Sequence, residues 1–306
     1  MGGVIRRLSA WDGQPLAVRE WFNGGSLPPL LCLPGLVRTG EDFEHLADCL
    51  PGAGRVVSLD YPGRGDSLRS RDLARYAPEA CVRDVLDVAA ALHLHRPVLV
   101  GTSFGGLLAM GITAARPTLP RAVVLNDVGP DIGRHGADFV RDFVARDPAF
   151  PDLDTCIAWL RRHLPPMSLH TEADWRRMAE LTYAPGPDGR FHPRWDTAIA
   201  RLLDGPVPDL WSLFGAVAHL PLLLVRGAVS TILLPATVQR MQAQRPDMQV
   251  VTLPGIGHAP ILTEPPVVAA LQAFLAGVAQ DGAPIESTRP ELDGRIGAGT
   301  GQRMRQ

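Results

Sequence analysis

A chain of 306 residues, 46% hydrophobic and 20% charged, is long enough to bury a large core, and its net charge of −2 without a basic block argues against a nucleic-acid partner. No apolar run approaches the roughly 20 residues of a membrane-spanning helix, and no apolar secretory segment follows the N-terminal Arg6-Arg7, so a cytoplasmic protein away from membranes is expected. The basic residues other than histidine are all arginine, and Ala, Gly and Pro abound, a composition that fits a GC-rich, bacterial gene; Cys32, Cys49, Cys81 and Cys156 lack metal-ligand spacing and read as reduced thiols.

Taken in chain order, residues 4–9 and 16–21 flank Asp12-Gly13 and predict a β-hairpin. Leu30-Leu-Cys-Leu33 is a fully apolar strand stopped by Pro34-Gly35, and residues 41–50 carry Phe43, Leu46 and Leu50 at helical spacing. A second buried strand, residues 55–60, ends in the turn-rich Tyr61-Pro-Gly-Arg-Gly-Asp-Ser67. Residues 78–94 form an amphipathic helix, residues 98–100 a short apolar strand, residues 105–115 a helix, and residues 121–127 another strand. Short apolar strands alternating with helices predict a mainly parallel sheet covered on both faces.

From about residue 129 the pattern changes to helical stretches with proline-rich breaks and no strand signal, at residues 138–146, 154–163, 172–181 and 196–203. Residues 129–215 are therefore expected to form an α-helical cap. Strand character returns at residues 222–225, followed by a helix at 236–244, a strand at 249–253 and a helix at 266–278. The expected division is a core of residues 1–128 and 216–280, the cap between them, and a disordered tail at 281–306 rich in Gly, Pro and charge.

The stretch with the clearest chemical content is Gly101-Thr-Ser-Phe-Gly105, a G-x-S-x-G between a strand and a helix. That arrangement is a nucleophile elbow, in which a sharp turn lifts the serine hydroxyl beyond the end of the sheet. Gly101 and Gly105 leave room where strand and helix cross. Ligands of open α/β sheets bind beyond the carboxyl ends of the strands. Those ends present Pro34-Gly35-Leu36, Asp60, Ser103, Asp127 and Gly255-Ile-Gly-His258. His258 stands late in the chain after a glycine-rich turn, where a Ser–acid–His order puts the general base. The backbone N–H groups of Leu36 and Phe104 are the candidate oxyanion donors.

Together, Leu33-Pro-Gly-Leu36, Asp60-Tyr-Pro-Gly-Arg-Gly-Asp-Ser67, Gly101-Thr-Ser-Phe-Gly105, Leu125-Asn-Asp-Val-Gly-Pro130, Arg226-Gly227 and Gly257-His258 resemble the α/β-hydrolase fold family over residues 4–279. The resemblance implies a mostly parallel eight-stranded sheet with helices on both faces and a helical cap inserted after the sixth strand. It also implies a serine hydrolase. In such proteins the triad acid follows the Arg-Gly that closes the seventh strand, where this chain has Arg226-Gly-Ala-Val-Ser-Thr-Ile-Leu-Leu-Pro235. Thr231 stands at the acid position, and no carboxylate occurs between Arg226 and Pro235. Three arrangements are open: Asp127 serves as the acid, Ser103 and His258 work as a dyad, or the site is disabled.

No cofactor and no metal is expected, because Gly63-Arg-Gly65 completes neither phosphate-binding glycine motif. The expected partner is an apolar small-molecule substrate, a carboxylic ester or lactone cleaved through an acyl-enzyme. Hydrolysis of a carbon–carbon bond in a ring-cleavage product, acyl transfer, and a ligand-binding protein with little or no turnover stand as alternatives. Trp159, Trp175 and Trp211, in the expected cap, are candidates to line the substrate pocket or to form the cap's own core.

Overall fold

A computed structural model describes residues 3–205 and 209–280. The expected tail at 281–306 lies outside the described residues. Strands β1 (Val4–Ser9), β2 (Pro15–Phe22), β3 (Leu30–Leu33), β4 (Arg55–Leu59), β5 (Val98–Thr102), β6 (Ala122–Asn126), β9 (Leu222–Gly227) and β10 (Gln249–Leu253) form one sheet in the order β1-β2-β4-β3-β5-β6-β9-β10. β2 runs antiparallel to both β1 and β4, and the remaining pairs are parallel. The α/β-hydrolase architecture is thus present, with the cap segment following the sixth strand.

The central strands are apolar on both faces because both faces are covered. Side chains alternate across the sheet with period two. Leu31, Leu33, Leu99, Val123, Leu125, Leu222 and Leu224 join one buried cluster with helices α2 (Pro78–Ala91), α3 (Phe104–Ala115) and α8 (Pro235–Gln244). Leu30, Cys32, Val98, Val100, Ala122, Val124, Leu223 and Val225 join the other with α1 (Glu44–Cys49) and α9 (Pro265–Gln280). The four cysteines are free; three are buried and Cys49 is half-buried. Among the described residues, no helix is long and apolar enough to cross a membrane.

The excursion after β6 holds α4 (Arg134–Val144), α5 (Leu153–His163) and α6 (Glu172–Thr182), then a 3₁₀ segment at Thr197–Asp204. Three sequence expectations need correction here. The cap is not wholly helical: β7 (Tyr183–Pro185) and β8 (Phe191–Pro193) pair as a small antiparallel hairpin around Gly189, whose φ is +75°. Three-residue strands that each end in proline carry too few positions for an alternating signal to show. The 196–203 stretch is 3₁₀ rather than α, opened by the Asp196 carboxylate accepting from the Ala198 N–H. Finally, α7 (Leu210–Ala216), read as cap, brings Phe214 into the buried cluster of α2 and α3. Residues 41–50 are also split, a 3₁₀ turn at Gly40–Phe43 leading into α1.

One buried carboxylate organises the loops at the carboxyl end of the sheet. Asp60, fully buried at the end of β4, accepts from Arg19 Nη1 at 2.9 Å, the Gly40 N–H at 2.7 Å and the Asp66 N–H at 2.8 Å. A Cβ on Gly65, whose φ is +53°, would collide with that carboxylate, so glycine is required there. Arg19 also pairs with Glu41 at 3.5 Å, and Glu41 pairs with Arg194 of the cap at 3.0 Å. Asp60→Ala should lower unfolding stability by about 2–4 kcal/mol, because it leaves the Gly40 and Asp66 N–H groups unpaired and takes from Arg19 its buried partner, with Asp66 and Glu41 remaining to it. Urea titration followed by circular dichroism measures this.

Candidate active site

The elbow places Ser103 by steric exclusion. Ser103 joins β5 to α3 at φ 51° and ψ −118°, a left-handed backbone that a non-glycine residue adopts at a cost. A Cβ on Gly101 would run into the Gly105 carbonyl, and one on Gly105 into the Leu33 carbonyl. Gly106 is equally constrained, against Val128. The Ser103 N–H donates to the Asn126 carbonyl at 2.9 Å, which ties the turn to the neighbouring strand. Ser103 itself is half-buried.

Asp127 follows β6 at φ 53° and is fully buried. Its N–H donates to the Val225 carbonyl at 2.8 Å, and its Oδ1 accepts the Gly227 N–H at 2.9 Å. The parallel register of β6 and β9, with Asn126 opposite Val225, brings that donor beside it. Its Oδ2 lies 2.7 Å from His258 Nδ1, and His258 Nε2 lies 2.9 Å from Ser103 Oγ. An ionised carboxylate only accepts, so Nδ1 carries the proton and Nε2 is left to accept from the serine hydroxyl. Ser103, His258 and Asp127 therefore form a continuous Ser–His–Asp hydrogen-bonded chain.

Thr231 is exposed, in a turn after β9 held by its neighbours. Ser230 Oγ accepts from the Ile232 and Leu233 N–H groups at 3.2 Å, and Arg226 Nε donates to the Leu233 carbonyl at 3.1 Å. No hydrogen bond joins Thr231 to His258 or Ser103 among the described residues.

Leu36 and Phe104 carry the N–H groups that are the candidate oxyanion donors. Phe104 is the first residue of α3, so its N–H has no partner within the helix. Among the described residues neither it nor the Leu36 N–H donates to a protein carbonyl. Of the three tryptophans, Trp159 lies in the cap's aromatic cluster, stacked on His163 at 4.3 Å and 5.7 Å from Phe143. Trp175 packs in the same cluster under Arg161. Trp211 lies elsewhere: it packs at the edge of the buried cluster that contains α3, donates to Asp131 at 3.0 Å, and carries Arg240 at 3.7 Å over its ring. No group of three or more His, Cys, Asp or Glu side chains is gathered for a metal among the described residues.

Sequence reasoning missed three supporting residues. Asn126 Nδ2 donates to Thr102 Oγ1 at 3.0 Å and to the Pro260 carbonyl at 2.8 Å, joining the elbow to the His258 loop. Glu264 Oε1 accepts from the Ile261 N–H at 3.0 Å and from Ser168 Oγ of the cap at 2.7 Å. The Gly257 N–H donates to the cap carbonyl of Pro166 at 2.7 Å, so the loop bearing His258 is anchored to the cap on both sides. Arg64 is the third, buried beneath Leu36 and Phe104. Asn126 had a sequence signal in its place at the end of a predicted strand beside Asp127, and Arg64 in the Asp60–Ser67 segment that carries the resemblance; Glu264 had none.

The sequence model of the alpha/beta hydrolase family matches residues 30–271. The chain is 30% identical over 286 residues to the 3-hydroxybutyrate-oligomer hydrolase of Cupriavidus necator, a match covering 90% of this chain and 97% of that protein. It is 30% identical over 246 residues to the 2-(acetamidomethylene)succinate hydrolase of Mesorhizobium japonicum, covering 79% and 84%. Among solved structures, an alpha/beta hydrolase from Novosphingobium aromaticivorans superposes with a TM-score of 0.83 at 37% identity, covering 90% of this chain and 99% of that one.

The hydrogen-bonded chain predicts that Asp127→Ala lowers kcat/KM on an aryl ester by about 10⁴-fold, the scale for losing the acid of a Ser–His–Asp site. Thr231→Ala should change it by no more than about twofold, as an exposed substitution does. Steady-state kinetics on the two purified variants decides between Asp127 and position 231.

Proposed function

This chain belongs to the alpha/beta hydrolase family, and within it we propose a serine ester hydrolase that cleaves a carboxylic ester or lactone of an apolar small molecule through an acyl-enzyme on Ser103. The observation that carries this reading is the hydrogen-bonded chain from Ser103 Oγ through His258 to the buried Asp127 carboxylate. In the proposed reaction His258 Nε2 takes the hydroxyl proton as Ser103 Oγ attacks the ester carbonyl carbon. The carbonyl electron pair moves onto oxygen, where the N–H groups of Leu36 and Phe104 receive the charge. Asp127 faces the imidazolium that forms and keeps its ring oriented. As the tetrahedral intermediate collapses, the alcohol leaves with the proton from His258. Water then repeats the sequence on the acyl-enzyme and releases the acid.

The proposed substrate class draws support from the apolar cluster against which Leu36 packs. Leu36 belongs to the same apolar cluster as the half-buried cap residues Val140, Phe143, Leu164, Met167 and Leu202. Such a surface favours an uncharged, aliphatic acyl chain. The relative from Cupriavidus necator is a hydrolase of 3-hydroxybutyrate oligomers, whose links are aliphatic esters, and short linear hydroxyacyl esters are the proposed class here. The reading as a binding protein without turnover drew on the missing carboxylate near position 231. Asp127 Oδ2 at 2.7 Å from His258 Nδ1 supports the enzyme reading over it.

The test is kcat/KM on linear dimers and trimers of 3-hydroxybutyrate and on 4-nitrophenyl butyrate, for the native chain and for Ser103→Ala. Turnover of both ester types that falls by about 10⁶-fold in the variant is expected. No ester turnover by the native chain, or turnover that survives loss of Ser103, would overturn the proposal.

A further inference from the structure

Arg64 is a buried arginine with no carboxylate in hydrogen-bond reach among the described residues; Asp196, which accepts from the Tyr76 hydroxyl at 2.8 Å, acts on it only across that ring. The arginine side chain is fully buried, and no ion-pair partner lies within reach among the described residues. The contrast with its neighbours is direct: buried Arg19 pairs with Asp60 at 2.9 Å, and buried Arg75 with Asp84 at 2.7 Å. Arg64 Nε instead donates to the Leu36 carbonyl and Nη1 to the Pro62 carbonyl, both at 2.8 Å. Nη2 has no hydrogen-bond partner. The guanidinium is enclosed by the rings of Tyr76 at 5.6 Å, Tyr61 at 5.7 Å and Phe104 at 5.9 Å. Burial pulls its pKa below the usual arginine value, yet an arginine in a protein stays protonated. A buried cation with no carboxylate in contact is costly, so its surroundings invite an explanation.

Two of its contacts are the residues whose N–H groups are the candidate oxyanion donors. It grips the carbonyl of Leu36 and lies under the ring of Phe104. We propose that Arg64 is a positioning residue for the oxyanion hole, holding the Leu36 and Phe104 backbone donors and setting a fixed positive field behind them. This rests on the reading of Ser103 as nucleophile with those two donors. When the ester carbonyl is attacked, its electron pair becomes an oxyanion, and Arg64 neither gains nor loses a bond or a proton. A cation in a water-excluded site acts on developing charge and little on a neutral ester, so its effect falls on kcat rather than KM. The same loop is fastened to the cap, the Gly65 N–H donating to the Arg194 carbonyl and the Asp196 N–H to the Gly63 carbonyl, both at 2.7 Å. Cap placement and oxyanion geometry therefore share one loop.

The experiment compares the native chain with Arg64→Met and Arg64→Lys on 4-nitrophenyl butyrate, alongside inhibition by an alkyl trifluoromethyl ketone and by the matching methyl ketone. The trifluoromethyl ketone adds to a serine as a tetrahedral oxyanion, whereas the methyl ketone remains a neutral ground-state mimic. Arg64→Met should lower kcat by about 10–100-fold and weaken the trifluoromethyl ketone by a similar factor. KM and methyl ketone binding should stay within about threefold. Arg64→Lys, which keeps the charge but loses the planar fork, should fall between the two and serves if the methionine variant does not fold. An unchanged kcat in a folded variant, or equal weakening of both ketones, would show a merely structural arginine and overturn the proposal. Full activity in Ser103→Ala would instead overturn the serine reading on which it stands.

Discussion

The crossing of β5 and α3 at the nucleophile elbow is the constraint on which the rest of the site depends. With Gly101 against the Gly105 carbonyl and Gly105 against the Leu33 carbonyl, strand and helix meet too closely for any side chain. That proximity forces Ser103 into a left-handed backbone and turns its hydroxyl outward. It also leaves the Phe104 N–H free at the start of α3, beside the loop that carries Leu36. The backbone of Ser103 and the unpartnered Phe104 N–H thus follow from one steric fact, held in place by a sheet and helices that bury both faces of the central strands.

The remaining members arrive through the sheet. β6 lies between β5 and β9, so the residue after β6 is delivered next to Ser103 on one side and to the Gly227 N–H on the other. Asp127 occupies that place, fully buried and hydrogen-bonded through both oxygens. A carboxylate after β9 would approach the same imidazole from the next strand over. With Asp127 Oδ2 already at 2.7 Å from His258 Nδ1, the turn at Ser230 and Thr231 makes no hydrogen bond to His258 among the described residues, and Thr231 is exposed. The cap adds a second tether, since Pro166 and Ser168 hold the two ends of the loop that bears His258.

The sheet strands, the elbow, the place of His258 beside Ser103 and the long excursion after β6 were legible because each has a local signature: an apolar run bounded by turn residues, a G-x-S-x-G, a histidine after a glycine turn. Asp127 was legible only as one of three arrangements. Its place beside His258 depends on which strands are neighbours and in what register, and that information is not local. The β7–β8 hairpin escaped notice because each strand has three residues and ends in proline. α7 resembles the cap helices in sequence, and only its packing in the α3 cluster separates it from them. Arg64 looked like a turn residue in Gly63-Arg-Gly65; its burial among three rings comes from the path of the loop.

The central claim, that Ser103 is activated by His258 in a chain ending on Asp127, is tested most directly by covalent capture. The native chain would be treated with a fluorophosphonate and analysed by intact mass and peptide mapping, alongside His258→Ala. The account predicts a single rapid adduct on Ser103 that is lost or greatly slowed in the variant. An adduct on another residue, no adduct at all, or labelling of Ser103 at an unchanged rate without His258 would contradict it.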